Sequence, residues 1–152
     1  MVLFFLEIIY FILDKHTQIE YKMLITVNAA FDLLDLCMYG ANDVAIIEEF
    51  GEEWSFNEGC LSIPNVREEV LRRSEIRIEY QDENFKKHIE SFDGLIARVI
   101  QHEYDHIEGV LFTDKVSSLK KRLLKGKLTN ISKGKTSVDY RMRFPNMSKK
   151  RT

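Results

Sequence analysis

The sequence predicts an α+β domain in which antiparallel strands lead into a buried helix, with a basic helix after it. Three observations predict this. Between Val66 and Ile89, Ile76, Ile78 and Tyr80 alternate with Arg77 and Glu79, the period-two pattern of a half-buried strand. From about Gly94 to Glu108 the chain is apolar nearly all round, which marks a buried helix, yet it carries His102 and His106. After Ser117 or Ser118, leucines at helical spacing share a segment with Lys120, Lys121, Arg122, Lys125 and Lys127.

Taken in order, residues 2–13 are strongly apolar with only Glu7 charged. At about 12 residues the run is short of the roughly 20 needed to span a bilayer. No Lys or Arg precedes it, so it makes a poor signal peptide. A buried helix or strand is expected, with an exposed sticky segment as the alternative. Residues 23–39 stay apolar with weak helical spacing at Phe31, Leu34 and Met38. Residues 41–59 are acidic and hold the only tryptophan, Trp54. Pro64 suits a strand end or a turn. Asp82-Glu83-Asn84 reads as a turn and Phe85–Ile89 as the returning strand. Asp93, or Ser91, is the expected N-cap of the buried helix, and Gly109 its stop. Leu95, Val99, His102 and His106 fall on one broad face of it, which Ile96, Ile100 and Ile107 extend. Val110-Leu111-Phe112 is a short apolar exit. The second helix is expected to bury Leu119, Leu123, Leu128 and Ile131, to turn its cations outward, and to end near Gly134. Residues 145–152 look disordered.

A length of 152 residues argues for one domain. The hydrophobic fraction of 45% and charged fraction of 30% are ordinary for a soluble globular protein, which excludes a collagen-like or wholly disordered chain. Two cysteines, Cys37 and Cys60, are too few for a disulfide framework and read as reduced cytoplasmic thiols. The net charge of −2 hides an asymmetry: residues 115–152 carry 13 Lys and Arg against the single acid Asp139. That surplus fits a solvated helix and tail, or a footprint for an anionic partner such as nucleic acid.

The segment Gln101-His102-Glu103-Tyr104-Asp105-His106 concentrates the chemistry. Histidines four residues apart lie one helical turn apart on one face and can share a divalent metal. A glutamate beside them can manage the protons of an activated water. The bland alternative is a pair of satisfied core histidines. Against it, Glu103 on a buried helix is costly unless something explains it. A catalytic site needs a third ligand, and no histidine follows His106. Cys60, in Glu58-Gly59-Cys60-Leu61-Ser62, is the better candidate, since a thiolate with two imidazoles is a catalytic zinc set that also suits Fe(II), Ni and Co. The alternative for Cys60 is a buried, inert thiol.

Glu58-Gly59-Cys60-Leu61-Ser62 and Gln101–His106 resemble, in order and separation, the second and third signature motifs of the peptide deformylases. The resemblance runs from about residue 42 to about 135. It implies a deformylase-like α+β fold, with antiparallel β-sheets around a central metal-binding helix. It implies that Cys60, His102 and His106 bind one divalent metal, Fe(II) first, with Zn, Ni or Co as alternatives. Water activated there attacks the formyl carbon of an N-formylmethionyl peptide, and formate is released. Glu103 would carry the proton, and the Leu61 N–H would donate to the oxyanion. Gly59 would meet the substrate backbone and Arg67 would sit near the peptide. Leu95, Arg98 and Val99 would line the methionine pocket, while Gln101 and Asp105 would orient ligands. A cytoplasmic monomer without membrane contact is implied, with ribosome docking through the basic C-terminal helix.

The family's first motif, Gly-x-Gly-Leu-Ala-x-x-Gln, is not in this sequence, because no glycine precedes Gly40 and Gln18 stands in the wrong context. Residues 1–41 are therefore expected to be a divergent or truncated segment, 42–135 the catalytic domain, and 136–152 a basic tail, partly disordered. Either an ordinary deformylase has been truncated or frame-shifted, or a divergent N-terminus folds in the same place. In the second case the run at 2–13 covers the face left by the missing motif; uncovered, that face would drive aggregation. Three functions stay open: a deformylase impaired by the missing motif, an inactive metal-binding remnant, and a ribosome-associated module. A zinc peptidase is weakest, lacking a downstream ligand.

Overall fold

The computed structural model describes residues 44–81, 84–140 and 142. The expectations for 2–13, 23–39, Asp82-Glu83 and 145–152 lie outside the described residues. Strand β1 (Ala45–Cys60), strand β2 (Ile63–Gln81) and strand β3 (Lys87–Asp93) form one antiparallel sheet in the order β1-β2-β3. Helix α1 (Gly94–Ile107), a 3₁₀ turn (Phe112–Asp114) and helix α2 (Ser118–Ser132) follow. No helix among the described residues is long and apolar enough to cross a membrane.

The alternation on β2 holds along the whole strand. Val70, Arg72, Ile76, Ile78 and Tyr80 are buried, while Leu71, Arg73 and Arg77 are exposed. The return strand is β3, which begins two residues later than Phe85 and runs on to Asp93. The acidic stretch before Gly59 becomes β1, a 16-residue strand that the sequence reading left without an element. Its pattern is masked by glutamates on the outer face and by register shifts at Ile46/Glu48 and Phe50/Glu53, which break the period of two.

Asp93 is the N-cap of α1 in extended backbone, although its side chain makes no capping hydrogen bond. At the other end Gly109 takes φ 73°, and the Gly109 and Val110 amides donate to the carbonyls of His106 and Asp105 at 3.2 and 2.7 Å. This closes the helix as the glycine predicted. Ile107, placed by the sequence on the apolar surface, is instead 56% exposed, because the helix is already ending there.

Helix α2 starts at Ser117, whose hydroxyl accepts from the Lys120 amide. Its buried face corrects the expected stripe. Leu124, Leu128 and Ile131 pack inward, while Leu119 and Leu123 are 60% and 74% exposed. At 100° per residue, Leu119 and Leu123 lie roughly 60–100° around the helix from the line through Lys120, Leu124, Lys127 and Ile131. Lys120 is half-buried and pairs with Glu68 at 2.7 Å, and the exposed Lys127 donates to the Asn65 carbonyl.

Two apolar clusters result. One joins Ile76, Ile78 and Tyr80 to Ala97 and Ile100 of α1. The other joins Cys60, Ile63, Val66 and Val70 to Phe112, Val116 and Ile131. Arg72 lies on β2 between the two, and the functional side chains gather around it.

Candidate metal centre

Cys60 ends β1, and the two-residue turn Leu61-Ser62 leads into β2. His102 and His106 lie one turn apart on α1, with ring centroids 4.9 Å apart and planes at 87°. The packing of α1 on the sheet brings the three donors together. The Cys60 Sγ is 3.4 Å from the His106 Nε2, and one ligand atom from each of Cys60, His102 and His106 lies within 4.8 Å of the others. A tetrahedral ion with ordinary Zn–S and Zn–N bonds would separate S from N by roughly 3.5 Å. The donor set therefore fits a divalent metal in both type and spacing.

The His102 ring is held from behind. Its Nδ1 donates to the Glu58 Oε2 at 3.0 Å, which turns Nε2 toward the centre. Glu58 has no solvent exposure. It also accepts from Arg72 Nε at 2.7 Å, Arg72 Nη2 at 3.0 Å and Arg98 Nη1 at 2.9 Å. Arg72 Nη1 continues to the Asp105 Oδ2 at 2.6 Å, and Lys115 reaches the Asp105 Oδ1 at 3.0 Å. Burial alone would push the Glu58 carboxyl up, but hydrogen bonds from His102 and Arg72 and the Arg72 charge hold it down at about 2. Burial would lower His102, yet its bonding to Cys60 and Glu58, with the Glu103 charge nearby, pushes it up to about 9 in the metal-free protein. His106 moves the other way: burial, reinforced by the His102 charge, lowers it to about 4, so it is neutral and ready to ligate at pH 7.

Residues 6–122 match the family model of the polypeptide deformylases. The chain belongs to this family. It is 72% identical over 106 residues to a peptide deformylase of Christiangramia forsetii, covering 70% of this chain and 54% of that one. To one from Cytophaga hutchinsonii it is 66% identical over 100 residues, covering 66% of this chain and 54% of that one. Among solved structures it superposes on Arabidopsis thaliana peptide deformylase 1B, crystallised with an inhibitor, with a TM-score of 0.57 and 34% identity, covering 60% of this chain and 51% of that one. The chain spans about half the length of the curated relatives it matches.

Against the deformylase reading of the sequence, the remaining side chains fall as follows. Glu103 is buried beside His102. Leu61 is buried in the turn directly after Cys60. Gly59 pairs across the sheet with Arg67, and an added Cβ there would lie 3.1–3.2 Å from the Arg67 side chain, so the tight approach leaves little room for anything larger. Arg67 donates to the Asn57 carbonyl at 3.3 Å. On α1, Val99 is buried and Leu95 half-buried.

Arg98 has no solvent exposure and is committed to Glu58, to the Val70 carbonyl at 3.1 Å and to the Trp54 carbonyl at 2.6 Å, with its guanidinium 4.4 Å from the Trp54 ring centroid. It braces the ion network from α1. Gln101 likewise fastens helix to sheet, donating to the carbonyls of Arg73 and Ala97. Asp105 is linked to His102 through Arg72 and Glu58.

The roles of Arg72 and Glu58 were missed in the sequence. A signal was present for Arg72: it occupies an inward position of the β2 alternation, where a charge must find a buried partner. Glu58 shares the inward phase of β1 with Cys60, a phase hidden by the bulges upstream.

Proposed function

We propose that this protein is a metal-dependent hydrolase that removes the formyl group from N-formylmethionyl peptides in the cytoplasm, releasing formate and a free amino terminus. The observation that carries the reading is the convergence of Cys60, His102 and His106 beside the buried Glu103, in a chain of the deformylase family. These three side chains would hold one divalent cation, Fe(II) natively, with Zn(II), Ni(II) or Co(II) able to replace it. When bound, such a cation would supply polarisation of a water and a water pKa closer to neutrality. Glu103 takes the proton of the attacking water and returns it to the leaving amine. The Leu61 N–H donates to the carbonyl oxygen as negative charge develops on it. The Gly59 backbone and Arg67 position the peptide, and Leu95 and Val99 contribute to the methionine pocket. Glu58 fixes the His102 ring, supported by Arg72 and Asp105.

The glutamine of the first motif is not among these 152 residues. Loss of one oxyanion donor lowers turnover roughly 10²–10³-fold, so slow turnover is expected. The test is formate release from a formyl-Met peptide by protein loaded separately with Fe(II), Ni(II), Co(II) or Zn(II). Glu103→Gln should keep its metal and lose a further roughly 10²–10⁴-fold in rate. The same missing glutamine favours a second reading, a metal-binding protein without catalysis. Stoichiometric metal with no formate release from any loaded form would select it.

The outward cations of α2, Lys121, Arg122 and Lys125, are exposed. We propose that they make salt-sensitive phosphate contacts on the ribosome. Co-sedimentation with ribosomes that survives their replacement by glutamine would remove this contact.

A further inference from the structure

After α2, the chain turns at Gly134 and runs back across the turn that joins β1 to β2. Two hydrogen bonds fasten it there, and a third ties α2 to Asn65 of β2. The Tyr140 hydroxyl donates to the Leu61 carbonyl at 2.9 Å. The Asn65 Nδ2 donates to the Ser137 carbonyl at 3.3 Å. Lys127 of α2 donates to the Asn65 carbonyl. Asn65 sits at φ 60°, in the left-handed region that asparagine tolerates better than most residues. Pro64, Asn65 and residues 137–140 line a groove of about 360 Å³ between strap and turn.

We propose that Tyr140 is a positioning residue for the reaction, acting through the Leu61 peptide. The Leu61 side chain is buried, and Cys60, the residue before it, sits at the metal centre. The N–H proposed to meet the developing oxyanion belongs to one peptide plane, and the Leu61 carbonyl belongs to the next. Only φ and ψ of Leu61 separate the two planes. Holding the carbonyl from the Tyr140 side therefore limits how far the N–H can swing. A donor to an oxyanion is useful only when its direction is fixed before the charge appears. The strap provides that restraint from a point 79 residues along the chain. The kinetic consequence rests on the deformylase reading; the structural one does not.

The test is Tyr140→Phe, which keeps the ring and removes the hydroxyl. In metal-loaded protein, kcat for a formyl-Met peptide should fall roughly three- to tenfold, the worth of one hydrogen bond. KM and metal content should stay at parental values, since the N–H contact that the strap aims is realised in the transition state, and Tm should fall by no more than the few degrees expected for one hydrogen bond. Hydrogen exchange at the Leu61 and Ser62 amides should speed up by a similar factor, with α1 amides unchanged. Asn65→Ala, which frees the strap at Ser137, should move both readouts the same way. Unchanged kcat and unchanged exchange in Tyr140→Phe would overturn the proposal. So would a rise in KM alone, which would make the strap a substrate contact, or a drop in Tm with exchange raised throughout, which would make it general support. If the parent releases no formate, the deformylase reading fails, and exchange at Leu61 by itself decides whether the strap holds the turn.

Discussion

In the outer half of the β1–β2 hairpin, Arg77 pairs with Glu48 at 2.8 Å and Arg73 with Glu53 at 3.7 Å, with every side chain nearly half exposed. In the inner half, Arg72 and Arg98 pair with Glu58 at 2.7 and 2.9 Å, with side chains at most 2% exposed. Residue types are alike, but position and surroundings differ: the outer pairs face each other directly across the strand register, whereas Arg72 reaches Glu58 diagonally and Arg98 reaches it from α1. The outer pairs are solvated, and such pairs contribute roughly 0–1 kcal/mol. The inner ones have lost their water and are kept by mutual completion: Glu58 satisfies two arginines and His102 together. A buried ion cluster of this kind adds little net stability over an apolar core, but removing one member is expensive. The difference suggests that the inner cluster is kept for the orientation of His102, while the outer pairs serve as a soluble face.

The comparison can be broken or sharpened by mutation and by acid. The largest effect is expected from Glu58→Ala, which strands two buried guanidinium groups and releases the His102 ring. It should lower unfolding free energy in denaturant titrations by roughly 3–5 kcal/mol. A loss below 1 kcal/mol would place the cluster with the surface pairs. Next is acid. The folded Glu58 carboxyl stands at about 2 against 4.5 in the unfolded chain. Its stabilisation is complete above pH 4.5 and lost as pH falls toward 2, a contribution of roughly 3 kcal/mol. His106, lowered to about 4, acts in the same direction at higher pH, because the unfolded chain takes up its proton between 6.5 and 4 while the fold resists. Denaturant midpoints of the metal-free protein should therefore decline in two phases on acidification, and Glu58→Gln should lack the lower one. Smallest is Arg77→Ala, expected to change stability by less than about 1 kcal/mol and to matter even less at high salt.

Much of the site was legible in the sequence, because its key spacing is local. His102, Glu103 and His106 occupy one turn of a helix whose apolar pattern is written in fourteen consecutive residues, with its glycine stop two residues further on. Cys60 could be picked out because a catalytic metal needs a third donor and nothing downstream of His106 supplied one. Burial of the face around these donors was also legible, since β2 alternates along its length. The strand before Cys60 was not, because bulges shift its phase and glutamates cover its outer side. The buried face of α2 was misread because its leucines spread around the helix, so spacing alone did not say that Leu124, and not Leu119 or Leu123, meets the core.

By itself, the sequence determined the three side chains able to hold a metal, the helix that carries two of them, and the glutamate beside them. Only the tertiary structure decided which groups hold that set in place. Glu58 meets Arg72 across 14 residues and Arg98 across 40, and Tyr140 reaches Leu61 across 79. Helical periodicity reports neighbours one turn away. A hydrogen bond between distant segments depends on how helices and strands pack, which no local pattern encodes.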